Sequence, residues 1–534
     1  MPSANFRRLV AACTFALILL IIAGIAIAYS SKRENDQLQD SSITSVGGEK
    51  PTGKLKSEES GSDPGEESSD IDCEMIETLG GSEASENSAN AAENQNSESS
   101  EQVSNIVGGG RSKSSGSSTG DKQQKPRVIV TTDGELDDKN SFSRFLLYVN
   151  DFDVEGLIYA NSVWHPKGNG TTWMRDQIDE YAKVFNNLRQ HDSEYPTPTS
   201  LKAVLKEGNL EEFGMEGIGA GKDTPGSNHI VSVLLDDDPR PVWLQAWGGV
   251  NNIAQALYRL RESHPEQLDA ALDKVRIYAI ARQDQVWSWI YCNFPTVQFI
   301  QNNHQFWRVI AYDHDRQNPV QNHPVFGAEW LKENITTGHG PLSAQYLSDV
   351  QEEGDSPAFF HFINTGLRST ESPNFGGWGG RFARQQNNYW TDTPDEHPDG
   401  GEIALDKPLW RWIVQISMDW QARADWAVKS FAEANHHPIV HLEHSQDLTV
   451  SPGDKVVLSV KASDPDGDEL TYEWWRYHEA DSYDAEVKIS NASAAEASFV
   501  APDARGQDLH MIVTVTDNGN PPLQRYRRVI VSIR

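Results

Sequence analysis

The stretch Val128-Ile129-Val130-Thr131-Thr132-Asp133-Gly134-Glu135-Leu136-Asp137-Asp138 decides how the chain is read. Residues 128–132 form a β-branched run of the kind that packs well on a pleated surface. A polar turn follows, and then Phe142, Phe145, Leu146 and Val149 recur at helical spacing. Residues 154–160 are largely apolar again, so strand, helix and strand succeed one another as they do in a parallel sheet. Asp133, Asp137 and Asp138 stand where the strand gives way to the helix, the edge at which open α/β sheets bind ligands. Crowded carboxylates repel one another unless protons or a cation intervene, and hard oxygen donors of this sort select Ca²⁺ or Mg²⁺. The plain alternative is a solvated acidic turn in which Asp138 caps the helix.

Working outward, Met174, Ile178, Tyr181, Phe185 and Leu188 mark a second helix. Residues 242–247 read as a strand that turns through Gly248 and Gly249 into a helix carrying Ile253, Leu257 and Leu260, and residues 276–281 as a further strand. Ser356 and Pro357 give a helix start, with Ser as the cap and Pro in the first turn. This alternation predicts one α/β domain with an open, mainly parallel sheet over residues 125–435. The texture then changes to alternating strands at 439–442, 455–461, 470–475, 498–501, 510–516 and 527–533, separated by turn residues such as Asp464-Pro465-Asp466-Gly467-Asp468. Residues 436–534 therefore read as a small β-sandwich of the immunoglobulin or cadherin-like type.

The N-terminal part differs in kind. Arg7 and Arg8 precede an apolar run at 9–29, and Lys32 and Arg33 follow it. Residues 1–30 are expected to be a membrane anchor that leaves the later domains outside the cytoplasm, or a signal peptide cleaved after Ala28 in the Ala26-Ile27-Ala28 site. Residues 31–124 are Ser-, Glu-, Gly- and Asn-rich with almost no aromatics, the composition of a disordered acidic linker.

Charge narrows the partners. Forty-six Lys and Arg stand against 78 Asp and Glu, a formal net charge of −32, which repels phosphate backbones and argues against a nucleic acid polymer as partner. Cys13, Cys73 and Cys292 cannot make a disulfide framework, and a Cys73 to Cys292 bridge would tie the low-complexity segment to a folded one, so none is expected. HExxH, GxSxG, Walker A and GxGxxG patterns do not occur, which removes those zinc, hydrolase-elbow and nucleotide-binding readings. Most of the 16 tryptophans are expected in the core, whereas Trp164, Trp287, Trp289 and Trp378 sit near loops or glycines and are the better candidates for stacking on a ligand. Glycines on both sides of Trp378 are read as a lid over the carboxylate site.

The carboxylate stretch resembles the amino-terminal motif of nucleoside hydrolases, Asp-x-Asp-x-x-x-Asp-Asp, with three of its four aspartates present. Ala160-Asn161 ends the second strand where that superfamily places an Asn reaching the ligand. Trp247-Gly248-Gly249-Val250-Asn251-Asn252-Ile253-Ala254 resembles its Gly-Pro-Leu-Thr-Asn-Ile-Ala segment, and Gly354-Asp355-Ser356-Pro357-Ala358 its late metal-binding segment. More closely, Phe375-Gly376-Gly377-Trp378-Gly379-Gly380-Arg381-Phe382 and Asn293-Phe294-Pro295 resemble a family of secreted or anchored bacterial proteins, some labelled cellulose-binding, in which a nucleoside-hydrolase-like domain precedes a cadherin-like one.

The resemblance implies a Ca²⁺ site made by Asp133, Asp138, Asp355 and the backbone carbonyl of Asn251. It implies Asp133 as general base toward the attacking water, Asp137 as acceptor from a sugar hydroxyl and Asn161 at the ligand; His165, just past Asn161, and Trp378, between glycines, are the further substrate-binding candidates. Thr131 replaces the motif's first Asp, Gly134-Glu135 replaces its Pro-Gly, and Gly354 stands where many nucleoside hydrolases have a His that helps a purine leave. His165 would then supply an acid from another direction. The function expected is calcium-dependent hydrolysis of a glycosyl bond, N-glycosidic by resemblance, on a ribosyl or other glycosyl small molecule. The alternative is a polysaccharide-binding protein of the cellulose-binding type without turnover.

Overall fold

The computed structural model describes Cys73 and residues 124–211, 214–396 and 403–534. The apolar run at 9–29 and nearly all of the acidic linker lie outside the described residues, among which no helix is long and apolar enough to cross a membrane.

An eight-stranded sheet organises the first part of the described chain. Its strands are β1 (Arg127–Thr132), β2 (Asp153–Tyr159), β3 (Leu205–Glu207), β4 (Val242–Ala246), β5 (Val275–Ile280), β6 (Gln298–Asn302), β7 (Phe382–Arg384) and β8 (Tyr389–Asp392). They lie in the order β3-β2-β1-β4-β5-β6-β8-β7, parallel throughout except for the β7–β8 pair. All six residues of β1 are buried, as a central strand covered on both faces demands. Val128 and Val130 point into one core with Phe142, Phe145 and Trp247, while Ile129 points into another with Ile158, Leu244 and Ile253.

Helices α1 (Leu136–Phe145) and α2 (Trp173–His191) contribute apolar faces to the first core; α3 (Pro225–Leu234), α4 (Asn251–Ser263) and α5 (Val286–Asn293) contribute to the second. The mainly parallel α/β architecture expected from the strand and helix alternation is the one observed. Strands β6 to β8 escape the sequence reading because Gln298-Phe299-Ile300-Gln301-Asn302 lacks a sustained apolar run. Its backbone nonetheless pairs with β5 and β8, and Gln301 Nε2 donates to the Ala281 carbonyl at 2.6 Å.

Two corrections concern local features. The short helix α6 (Ser356–Phe360) has Asp355, not Ser356, at its cap position, and the Asp355 side chain makes no capping bond. Cys73 and Cys292 are joined in a disulfide with their Cα atoms 5.5 Å apart, contrary to the expectation that no bridge would form. Cys73 and Cys292 pack together against the second core, so the bridge ties part of the acidic segment to the folded body.

Helix α7 (Lys407–Trp426) buries Trp412, Trp420 and Trp426 in the first core and leads toward the β region. A short β9 (Asp395–Glu396) and β10 (Ile403–Ala404) pair just before it. The β region has one sheet of β11 (Ile439–Leu442), β13 (Lys455–Ser463) and β15 (Glu496–Val500). The other holds β12 (Asp447–Val450), β17 (Gln524–Ile533), β16 (Asp508–Thr516) and β14 (Thr471–Arg476). Between them Val456, Leu458 and Phe499 meet Val513, Val529 and Val531 in a core of their own.

The β region is bonded to the α/β region along a seam. Tyr526 N donates to Thr365 O at 2.9 Å, Arg528 Nη2 to Gly376 O at 2.9 Å and Arg525 Nη1 to Asp419 at 3.0 Å. Two arginines beside the Asp419 carboxylate outweigh its burial and hold its pKa down, at about 2.

Candidate functional site

Register brings the site together. Thr131 pairs with Ile158 of β2 and with Ala246 of β4, so the three strands end level and their following turns lie side by side. Trp247 N donates to Thr131 O and Ala160 N to Thr132 O, both at 2.8 Å, which carries the alignment past the strand ends. Asp133, Ala160-Asn161 and the Gly248-Gly249 turn thereby meet at one sheet edge. A Cβ at Gly248 would sit 3.0 Å from Asp133 Cβ, which shows how closely the turn backs onto that carboxylate.

Asp133, Asp137, Asp138 and Asp355 are all buried. Carboxylate oxygens of Asp137, Asp138 and Asp355 lie within 4.8 Å of one another, as do those of Asp133, Glu135 and Asp138. Asp138 holds both groups together through local bonds: it accepts from the Thr132 hydroxyl and, at 3.0 Å, from Glu135 N in a capping box at the start of α1. Glu135 is thus the cap residue and Asp138, three positions on, returns the second bond of the capping box while belonging to both acidic groups. Asp133 accepts from the Ser162 hydroxyl, and Asp137 from the Tyr312 hydroxyl at 3.3 Å.

Burial and the neighbouring carboxylates push Asp133, Asp137 and Asp355 well above the usual carboxylate range, and burial raises Asp138 as well. Burial and the surrounding carboxylates also raise Tyr312, which stays protonated and donates to Asp137.

The residues present fit a hard cation. Asp133 Oδ1 and Asp355 Oδ2 are buried oxygen atoms with no hydrogen-bond partner, an arrangement that costs free energy unless a positive charge meets them. The donor set is oxygen only, the type that suits Ca²⁺ or Mg²⁺. The position of Asp355, at a helix cap yet bonded to none of the helix's own amides, leaves its carboxylate free for that role.

The other residues singled out from sequence divide. Asn161 is wholly buried and its amide acts as a brace: Oδ1 accepts from Asn251 Nδ2 at 2.7 Å, and Nδ2 donates to Pro166 O at 3.0 Å. Asn251 opens α4 and gives its backbone N–H to Asp284 Oδ2 at 3.1 Å. His165 is half-buried with Nδ1 3.8 Å from Glu135 Oε1, beside the carboxylates. Trp378 must be corrected as a ligand-stacking lid. Its ring is 1% exposed and sits in the seam, edge-on to Tyr526 at 6.5 Å, because the surrounding glycines let the backbone fold it inward. Trp289 is buried too, whereas Trp164 is 61% exposed.

Gly354 explains one departure. A Cβ there would lie 2.6 Å from Asp137 Oδ2, so a histidine at this position would have to displace Asp137 from where it stands. Gly134, at φ 80°, is needed for a second reason: a Cβ would sit 2.7 Å from Trp173 Nε1.

Sequence reasoning missed Glu135, Ser162, Tyr312 and Trp307. Ser162 follows Asn161 directly and had a positional signal. Tyr312 and the 42% exposed Trp307, whose rings meet at 5.8 Å, follow β6, a strand that was not recognised.

Two family models and one solved structure match this architecture. The family described as "Cellulose-binding Sde182, nucleoside hydrolase-like domain" matches residues 127–382, and "Cellulose-binding protein Sde0182, C-terminal domain" matches 455–533. A nucleoside hydrolase-related hypothetical protein from Saccharophagus degradans, described as associated with carbohydrate metabolism, is 35% identical, with a TM-score of 0.68 over 77% of this chain and 100% of that one. A PKD domain of human KIAA0319 is 16% identical over 20% of this chain and 88% of that one, with a TM-score of 0.16. Human CDH23 EC21-23 is 19% identical over 18% of this chain and 35% of that one, at 0.14. A search of the curated proteins gives no match. The chain belongs to the cellulose-binding Sde182 family, with a nucleoside hydrolase-like domain followed by the Sde0182 C-terminal domain.

Proposed function

We propose that this protein is a calcium-dependent hydrolase of glycosyl bonds, N-glycosidic in type, acting on a ribosyl or related glycosyl compound outside the cytoplasm. The observation that carries the reading is the pair of bare, buried oxygens, Asp133 Oδ1 and Asp355 Oδ2, within a group of four buried aspartates. When bound, Ca²⁺ would orient water and a sugar diol and offset the crowded negative charge. Asp133, Asp138 and Asp355 would hold it, with the Asn251 carbonyl as the further ligand that the resemblance names.

The chain's own residues supply the rest. Asp133 takes the proton from the attacking water, its position set by the Ser162 hydroxyl. Asp137 accepts from a sugar hydroxyl, held by Tyr312. The surrounding anionic wall favours the positive charge that develops on the sugar ring as the glycosyl bond breaks. His165 and the exposed Trp164 stand on the loop after β2, in reach of a leaving group that enters from solvent. The Cys73–Cys292 disulfide supports placement in an oxidising compartment.

The test is release of reducing sugar from purine and pyrimidine nucleosides, nicotinamide riboside and glycan oligomers. Asp133→Asn keeps size and an oxygen donor but loses charge and basicity, so kcat should fall by on the order of 10² to 10⁴. The second reading, polysaccharide binding without turnover, is favoured by the cellulose-binding description of the family. Retention on insoluble cellulose that is equal in native protein and Asp133→Asn, with no sugar released from any substrate, would select it.

A further inference from the structure

The seam between the α/β and β regions carries a half-open polar pocket of about 420 Å³, well away in sequence from the carboxylate motif and unused by the proposed chemistry. The volume lies within the range of small-molecule sites, roughly 300–1,000 Å³. One wall comes from the α/β region, through Arg368, Glu371 and Phe375; the other comes from the β region, including Asp447 and His510.

His510 is the best-defined donor. Its Nδ1 is 2.9 Å from Arg528 Nη1, and because a guanidinium can only donate, Nδ1 must accept. Burial and the nearby arginines keep the ring neutral, with a pKa of about 3, so its single proton sits on Nε2. No hydrogen bond among the described residues takes that proton, and the residue lines the cavity. Beside it the half-buried Phe375 ring meets the imidazole edge-on at 4.8 Å and carries the Arg528 and Arg368 guanidiniums 5.5 and 6.0 Å from its centroid, so only its exposed part is left as apolar surface.

Most of the charge around the cavity is paired, the carboxylates of Glu371, Asp447 and Asp508 exceeding the guanidiniums of Arg368 and Arg534 by one. Arg368 donates twice to Glu371, at 2.7 and 2.6 Å, and once to Asp447 at 2.9 Å. Arg534 pairs with Asp508 at 3.3 Å. An anion entering here would face three carboxylates, and a cation would face two guanidiniums. The carboxylates keep spare acceptor sites after these bonds, since each offers about four lone-pair positions. Alternating donors and acceptors around an aromatic ring match a neutral, hydroxyl-rich ring. A concave site takes a chain end or a short oligomer, whereas a crystalline polysaccharide face would need several coplanar exposed rings.

We propose that the seam cavity binds the end of a neutral oligosaccharide, with a sugar face against Phe375 and hydroxyls shared among His510, Glu371 and Asp447. The inference deepens the glycan-binding reading above and does not depend on turnover at Asp133.

The experiment is calorimetric titration of the full chain with cellotetraose and with xylotetraose. Phe375→Leu keeps apolar bulk but loses the ring, and Glu371→Gln, on an exposed side chain, keeps shape but loses charge. Each should weaken binding of at least one tetraose tenfold or more. Thermal unfolding of each variant checks that the fold is retained, and Glu371→Gln decides the matter if Phe375→Leu does not fold. Asp133→Asn should bind as the native protein does, which separates this site from the carboxylate site. Binding retained in the folded seam variants overturns the proposal whatever Asp133→Asn does, and so does absence of binding of both sugars by the native protein.

Discussion

His191 Nδ1 lies 2.9 Å from His436 Nε2, a histidine pair that links the end of α2 to the residues entering the β region. The protons can be counted. His191 Nε2 is 2.9 Å from the Lys429 carbonyl, which only accepts, so Nε2 carries a proton. Burial lowers the His191 pKa and keeps the ring neutral, leaving Nδ1 as acceptor from His436. His436 Nδ1 faces both oxygens of Asp466 at 3.0 Å and must donate there. His436 thus bridges His191 and Asp466, and its backbone N–H also donates to Asp466 Oδ2 at 2.7 Å. Asp466→Asn weakens the acceptor of these bonds and should cost about 1.5–3 kcal/mol, the range for hydrogen bonds to charged groups. Urea unfolding of both proteins measures it; an unchanged midpoint would show that the link carries no stability.

Acid should destabilise the fold through three other histidines. Burial holds His361, His437 and His510 at pKa values of about 3. Above the unfolded value of about 6.5 both states are neutral. Below it the unfolded chain binds protons that the native protein refuses, so stability falls as pH drops from about 6.5 toward about 3. Both ring nitrogens of His361 lack partners, so His361→Leu gives up no hydrogen bond. The variant should lose less stability than the native protein between pH 7 and 5, by up to about 2 kcal/mol. Parallel pH profiles for the two proteins would contradict this account.

Calcium should raise the melting temperature of the native protein and EDTA should lower it. A ligand at about 100 times its Kd adds about 2.7 kcal/mol. Asp138→Asn and Asp355→Asn should each remove most of the response. A shift of equal size in both variants would place the ion elsewhere.

Gly354→Ala tests the crowding at Asp137. The added Cβ would fall 2.6 Å from Asp137 Oδ2, so that carboxylate must move. Turnover should drop tenfold or more with the calcium-induced thermal shift largely retained, read by sugar release and by calorimetry. Unchanged turnover would mean that the position of Asp137 is not demanding.

The sequence by itself determined the parallel α/β core and the carboxylate cluster, because both are local in origin. β1 is a β-branched run followed by a helical repeat, and Asp133, Asp137 and Asp138 sit within six residues of one another. Asp355 was reachable only through resemblance, since no periodicity joins it to the motif. Tertiary structure decided what depends on distant chain segments meeting. Gln298-Phe299-Ile300-Gln301-Asn302 becomes a strand because neighbouring strands satisfy its amides, and Tyr312 reaches Asp137 only through that strand. Trp378, between glycines that suggest an open loop, is buried because β17 brings Tyr526 against it. Cys73 meets Cys292 across 219 residues. Local pattern records backbone preference and one buried face; which surfaces then cover one another is a property of the packed chain, and it is packing that left Asp133 and Asp355 with oxygens that no protein group meets.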